Sequence, residues 1–367
     1  MNILYINSKK NWGGVASWML KTARGLTERG HNIIILSAEK SKFTKEAPND
    51  LNIIPCKFGF DYNPKIIFYI ICLIKKYKID LIVTNIEKEI AVGGVAAKIC
   101  KIPNIRRVGR DDDFNDKKKK IRFRHEKFVD YSIIPCNAVY EKAVQHSPWL
   151  KKHKFVTIYN GRNVKIFDKN EISKIRSNWN VKENEITIGI TAQLTKVKNI
   201  DSLIKAFEII QRDFSNTKLI ITGSGYEEEN LRDMVEKINL ENKVVFHGFT
   251  NEPQLIAAAY DIGVLVSLNE GFPNTIVEYM SVETPVVTTD VGGVKEIITD
   301  GENGLITGFK AKEIAKDIIK LLENDEYRKR IGKSGLQTIK ENFTEDKMIK
   351  DLEKFLEKII NEKINTL

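Results

Sequence analysis

The sequence predicts an α/β chain of two doubly wound, Rossmann-like halves, each a parallel sheet with crossover helices. Three observations predict it. Short apolar runs alternate with longer amphipathic segments along the 367 residues, which is the pattern of repeated β–α–β units. The first such unit carries a Gly13-Gly14 turn between its strand and its helix. The alternation then lapses over the polar stretch Arg162 to Glu185 and restarts with a fresh strand, and the length suits two domains of about 150–200 residues.

Composition narrows the function classes. With 42% hydrophobic residues each half can build a core, and the longest apolar run, Ile66 to Ile74, is too short to span a bilayer. The chain enters its first strand without a basic–apolar–small signal pattern, so the expectation is a cytoplasmic protein not integral to the membrane. Cys56, Cys72, Cys100 and Cys136 lie apart in apolar segments with no CxxC pair, and read as reduced core residues. The net charge of +10 is uneven: residues 1–160 carry +15 and the remainder −5. The first half is therefore expected to meet something anionic. No helix-turn-helix, zinc-finger or RRM-like signature accompanies it, so nucleic acid is not the expected partner. A membrane surface or a lipid-phosphate acceptor fits better.

In chain order, Asn2 to Ser8 is the first strand, and Trp12-Gly13-Gly14 leads into an amphipathic helix from Val15 to Glu28. Gly30 closes that helix as a left-handed C-terminal glycine does, and His31 to Ala38 is the second strand. The glycine turn is of phosphate-binding type, though not the G-x-G-x-x-G of a dinucleotide site; the backbone turn alone would also account for it. Strands follow at Asp80–Asn85, Ile102–Val108, Tyr131–Cys136 and Phe155–Tyr159, and helices at Pro64–Tyr77, Glu89–Cys100, Lys117–Phe128 and Ala138–His146. The last helix but one is KKKKIRFRHEKF, holding Lys117, Lys118, Lys119, Lys120, Arg122, Phe123 and Arg124, with Ile121, Arg124, His125 and Phe128 on one face. Two readings stand. It is a basic–aromatic surface for anionic lipid, each cation adding about 1 kcal/mol, or it is the solvated face of a Lys-rich protein.

The second half begins with the strand Glu185–Ile190, the turn Thr195–Asn199 and a helix from Ile200 to Arg212. Lys198 stands just before that helix, where an ammonium is disfavoured by the dipole unless an anion joins it. Leu219–Thr222 is a strand closing on Gly223, and a helix to Ile238 leads to the strand Val244–Phe249. His247 reads as a strand-end histidine with a structural partner. The stretch Asp261 to Val287 organises the whole: a buried strand Ile262–Val266, a polar loop with Ser267, Asn269, Glu270 and Gly271, a helix from Asn274, and a strand Pro285–Thr289. Free backbone amides around residues 272–276 would favour an anion. The flanking carboxylates Glu270 and Glu278 suit sugar hydroxyls, which donate short hydrogen bonds to them. A diphosphate between two sugars is a nucleotide-sugar. The carboxyl end is helical, with Met348, Ile349, Leu352, Phe355, Leu356, Ile359 and Ile360 on one stripe.

The spacing of Glu270 and Glu278, with Gly271-Phe272-Pro273 between them and Pro285-Val286-Val287 after, resembles the E-x7-E signature of retaining glycosyltransferases, closest to family 4. The resemblance implies the GT-B fold: two Rossmann-like domains facing across a cleft, with the last helix crossing back to the first. It implies residues 1–165 as the acceptor domain, 166–343 as the nucleotide-sugar domain and 344–367 as the returning helix. It gives Glu270 to the transferred sugar and Glu278 to the ribose. Lys198 neutralises the diphosphate, Phe249 and Thr250 meet the base, and Gly14 lies between diphosphate and acceptor. Gln193, Gly223, Gly271, Phe272, Pro273, Asn274 and Thr275 complete the donor site. The family arginine is Gln193 here, with Lys196 the nearest alternative cation. The family histidine is missing from Arg107-Val108-Gly109-Arg110, which leaves its role open or passes it to Arg110. Arg110-Asp111-Asp112-Asp113 also resembles the metal-binding DXD of the other glycosyltransferase fold; a solvated loop and an acceptor contact are the alternatives. Glu283 stands where relatives have glycine, so a reshaped loop is expected. The implied activity is transfer from a nucleotide-sugar to a saccharide or lipid-linked acceptor in cell-surface polysaccharide or glycolipid synthesis. No metal and no cofactor are implied, and the protein would sit at the inner face of the membrane. A nucleotide-sugar epimerase and a catalytically inactive sugar-binding protein are the alternatives.

Overall fold

The computed structural model describes residues 1–10, 13–46, 50–114 and 119–364. The chain divides into two compact units, Met1–Asn160 with Glu345–Leu367, and Gly161–Thr344. Each is an all-parallel sheet wrapped by helices.

Unit 1 holds β1 (Asn2–Asn7), β2 (Asn32–Ala38), β3 (Asn52–Cys56), β4 (Leu81–Thr84), β5 (Asn104–Arg107), β6 (Tyr131–Ile134) and β7 (Phe155–Thr157), in the order β3-β2-β1-β4-β5-β6-β7. Alternation along each strand divides the core. Ile3, Tyr5, Ile33, Ile35 and Ile105 face the Gly14–Glu28 helix, while Leu4, Ile6, Ile34 and Leu36 pack with Ile70, Leu73 and Ile74 of the Pro64–Tyr77 helix. The Glu345–Ile364 helix supplies Met348, Ile349, Leu352, Leu356 and Ile359 to the first of these cores. Gly25 permits that approach, since a Cβ there would lie 2.0 Å from Ile349 Cδ1. β3 escaped the sequence reading because it contains Pro55, which is tolerated on this edge strand.

Two expectations for unit 1 are corrected. Cys72 is exposed and not a core residue, because it lies on the outer face of the Pro64–Tyr77 helix; all four cysteines are free. The basic helix runs Lys119–Phe128, and the face shared by Ile121, Arg124 and His125 is its buried face. Lys117 and Lys118 lie outside the described residues.

Unit 2 holds β8 (Ile186–Thr191), β9 (Thr217–Thr222), β10 (Val244–Gly248), β11 (Ile262–Leu265), β12 (Val286–Thr289) and β13 (Leu305–Thr307), in the order β10-β9-β8-β11-β12-β13. Gly189 and Gly263 sit inside central strands because rings occupy the space of a side chain. A Cβ on Gly189 would lie 2.2 Å from the Tyr260 ring, and one on Gly263 2.5 Å from that of Tyr279. Where a reshaped loop was expected, Glu283 itself adopts a left-handed φ of 66°. Its side chain points into solvent, where the strain costs about 1 kcal/mol.

Candidate functional site

β8 and β11 are neighbours at the centre of their sheet although they are far apart in the chain, so the carboxyl ends of these two strands form the switch point of unit 2. After β11 the chain passes through buried Val266 and Ser267 into the loop carrying Glu270. The Leu268 amide donates to Val197 O at 2.8 Å, the Thr289 hydroxyl to Ser267 O at 2.6 Å, and the Gly293 amide to Gly271 O at 2.9 Å. Gly292, at φ +55°, must be glycine, since a Cβ would fall 2.4 Å from the carbonyl oxygens of Glu270 and Gly271.

Two ion pairs stand on this frame. Lys198, at the end of the turn after β8, donates from Nζ to Glu270 Oε1 at 2.5 Å, and the Ser267 hydroxyl donates to the same oxygen at 2.6 Å. Glu278, on the Asn274–Met280 helix, accepts at Oε1 from Arg162 Nε at 2.9 Å and Nη2 at 2.8 Å. The four side chains are 12–21% exposed, shielded enough to hold their charges firmly and open enough to be reached. Arg162 and Ser267 were missed as site residues. The available signal for Arg162 was its position directly after Asn160-Gly161.

The expected row of free amides is shorter than the sequence suggested. The Asn274 amide donates to Phe272 O at 2.9 Å and that of Ile276 to Pro273 O at 3.0 Å. Thr275 keeps an amide without a partner among the described residues, and its hydroxyl reaches Thr191 O at 3.4 Å. Tyr279 is fully buried, and its phenol oxygen accepts from the Thr191 amide at 2.6 Å, tying this helix to the end of β8. Burial pushes both the Tyr260 and Tyr279 phenols up, so both stay neutral.

Around this centre, Gly223 (φ +135°) lets the β9 turn touch that of β8, for a Cβ would lie 1.8 Å from Ala192 O. Gln193 is exposed beside it and Lys196 is exposed after it. Phe249 is 69% exposed past β10, whereas Thr250 is used locally: its hydroxyl oxygen accepts from the Glu252 amide at 3.0 Å. Phe272 and Pro273 are buried beneath the loop and Gly271 is half-buried. His247 has the structural partner expected of it, since Trp179 Nε1 donates to its Nδ1 at 3.0 Å and burial lowers its pKa.

In unit 1, Gly14 is exposed at the start of its helix, with no atom near the position of a Cβ. Arg110 is exposed and pairs with Asp112 at 3.0 Å. Asp113 caps its own turn, accepting from the Gly109 amide at 2.9 Å and the Arg110 amide at 3.1 Å. Among the described residues the grouping with metal-ligand spacing is His31, Glu353 and Glu357. It is already engaged, with His31 on Glu353 at 2.8 Å and Arg29 on Glu353 at 3.0 Å. On the basic helix, Lys119, Lys120, Arg122 and Phe123 face solvent. Arg124 is removed from that surface. It is 4% exposed and donates to Asp61 at 2.6 Å and Tyr62 at 3.1 Å, because a helix packed on the sheet must turn one stripe inward.

Comparison with known proteins agrees with this frame. The family described as Glycosyltransferase Family 4 matches residues 12–165, and that described as Glycosyl transferases group 1 matches residues 171–338. The chain belongs to these glycosyltransferases and has their GT-B fold. Among its relatives, the N-acetyl-alpha-D-glucosaminyl L-malate synthase of Bacillus anthracis is 25% identical over 58% of this chain and 57% of its own. The match therefore spans little more than half of that relative. The capsular polysaccharide biosynthesis glycosyltransferase CapM of Staphylococcus aureus is 26% identical over 92% of both chains. Of solved structures, Anabaena HepE in complex with UDP and glucose superposes with a TM-score of 0.82 at 20% identity, covering 97% of this chain and 99% of that one. Sucrose-phosphate synthase from Thermosynechococcus elongatus gives 0.81 at 17% identity over 99% and 100%.

Proposed function

We propose that the protein moves a hexosyl group, with retention, from a nucleotide-sugar to a hydroxyl of a saccharide or lipid-linked acceptor, in the synthesis of cell-surface polysaccharide or glycolipid. The observation that carries this is the pairing of Glu270 with Lys198 and of Glu278 with Arg162 at the switch point of unit 2. A carboxylate beside a cation on each flank suits a ligand with hydroxyls at both ends and an anion in the middle. In this reading Glu278 takes the ribose hydroxyls and Glu270 orients the transferred sugar. Lys198, aided by the Thr275 amide, meets the diphosphate as charge grows on the leaving oxygen, the place where a fixed cation lowers the barrier most. Phe249 offers a face to the base. The UDP held by HepE and the capsular role of CapM support a uridine donor and a polysaccharide product. Unit 1 takes the acceptor, with Gly14 and Arg110 on its side.

No metal or cofactor is assigned, since Lys198 supplies the cation. Among the described residues no helix is long and apolar enough to cross a membrane. Exposed Phe123 among Lys119, Lys120 and Arg122 supports peripheral attachment to an anionic membrane surface. The test is a thermal-shift screen of UDP-, GDP-, ADP- and CMP-sugars, followed by the best donor on Glu278→Ala. Ligand at a hundred times its Kd stabilises by about 2.7 kcal/mol, and the variant is expected to lose that shift. A variant with unchanged donor affinity and rate rejects the assignment. Incubation of the donor without acceptor separates transfer from epimerisation.

A further inference from the structure

In unit 1, β5, β6 and β7 run parallel to β1, so their amino ends lie at the edge of the sheet opposite Gly14. The ligand crevice of a doubly wound sheet is at the carboxyl ends of its strands, yet a cavity of about 570 Å³ opens at this other edge. Its floor is apolar, made by Ile102 and Pro103 before β5, Phe128 at the end of the basic helix, and Ile359 of the returning helix. Its rim carries four exposed lysines: Lys98 and Lys101 at and beyond the end of the Val95–Ile99 helix, Lys127 beside Phe128, and Lys154 ahead of β7.

The acids of the rim are served by other donors than these lysines. Glu126 accepts from Arg122 Nε at 2.9 Å, Asp130 from the Asn104 amide at 2.8 Å, and Glu362 from the Tyr131 hydroxyl at 2.7 Å. Lys98 donates to Lys127 O and Lys154 to the Tyr131 oxygen, both at 3.1 Å, so each bonds a neutral acceptor. Lys101 and Lys127 make no side-chain hydrogen bond or ion pair among the described residues. Lys101 is also held at a left-handed φ of 55°, which glycine adopts without strain. The lysine is thus a poorer choice for the backbone, and what it adds is a charge on the cavity wall. Ammonium donors without acceptors, set around an apolar floor, are complementary to an anion carried on an apolar body.

We propose that this cavity is a second ligand site, and that it takes a phosphate ester with an apolar or aromatic body. The phosphate meets Lys101 and Lys127, and the body lies on Phe128 and Ile102. Because Ile359 belongs to the floor, an occupied site also holds the last turns of the returning helix on the sheet, and the ligand stabilises the chain by linkage. A soluble phosphate ester and the headgroup of an anionic lipid offer the same chemistry. None of these residues belongs to the donor or acceptor side of the proposed reaction, so the site stands whether or not that reading does.

The test titrates phenyl phosphate into the full chain saturated with UDP, followed by calorimetry and by the melting temperature. Phenyl phosphate is expected to bind about tenfold more tightly than inorganic phosphate, because its ring is buried on the floor. Lys101→Gly with Lys127→Ala removes two charges that the fold does not use, so its melting temperature without ligand is expected to be unchanged or raised. The same variant is expected to weaken phenyl phosphate about tenfold or more. Lys127→Ala alone keeps the test open if the pair misfolds, with a loss of about threefold. Sedimentation with phosphatidic acid vesicles, against phosphatidylcholine vesicles, distinguishes the sources. Vesicle binding that the double variant loses assigns a lipid headgroup; vesicle binding indifferent to it, with phenyl phosphate weakened, assigns a soluble ester. Phenyl phosphate that fails to bind, that binds no better than inorganic phosphate, that UDP displaces, or that the variants leave untouched overturns the inference. A chain that binds phenyl phosphate but not UDP would keep this site and remove the donor reading.

Discussion

At the scale of single residues, the two glutamates of the central motif differ from ordinary surface acids in having a dedicated cation each. Removing one partner of such a shielded pair strands the other. Arg162→Met is therefore expected to lower stability by about 1–3 kcal/mol and to weaken UDP binding together with it, read by denaturant unfolding and calorimetry. Lys198→Met strands Glu270 less completely, because the Ser267 hydroxyl still donates to it; a smaller loss of stability than for Arg162→Met is expected, with the rate cut by about a hundredfold or more. A rate within threefold of the parent would remove Lys198 from the chemistry. Glu283 offers a control of opposite sign. Its left-handed backbone carries strain that glycine does not feel, so Glu283→Gly is expected to be neutral or to stabilise by up to about 1 kcal/mol.

At the scale of elements, the loop after β11 is held by carbonyl–amide contacts more than by its own side chains, and Gly292 is where another segment crosses it. Gly292→Ala would force a methyl group against two carbonyl oxygens and move the Glu270 loop. The expected result is a loss of about 1–3 kcal/mol and a disproportionate loss of transfer rate, with circular dichroism unchanged. A fully active Gly292→Ala would show that the loop tolerates the shift and that Glu270 is not held for its position.

At the scale of the whole molecule, a buried histidine packed against a half-buried one sets an acid limit on unit 1. The His125 and His153 rings lie 4.0 Å apart, and buried Arg106 is 3.4 Å from His125. Burial and these neighbours lower the pKa of His125 well below its usual value and that of His153 to about 4. The unfolded chain binds these protons near pH 6.5 and the folded chain does not, so stability rises with pH across this window. The contribution is complete above about pH 6.5 and is lost as the solution is acidified from there towards about 4. Denaturant midpoints at pH 5 and 7 should show the fall, and His153→Gln should flatten it; equal slopes for variant and parent would place the acid sensitivity elsewhere. The returning helix gives a second test at this scale. Its stripe completes the core of unit 1, so ending the chain at Thr344 is expected to abolish the unfolding transition of that unit and spare the other.

By itself the sequence determined the architecture and pointed to the centre of the candidate site. Strand and helix periods, the Gly-Gly turn and the spacing of Glu270 and Glu278 are local signals, legible because each depends on residues close in the chain. What lies far apart in the chain was decided only by the tertiary structure. Arg162 meets Glu278 across 116 positions, and Arg124 turns to Asp61 and away from the surface its neighbours form. The physical reason is that charge is read from composition, while its partner is set by which strands become neighbours. A parallel sheet joins strands that the sequence keeps apart.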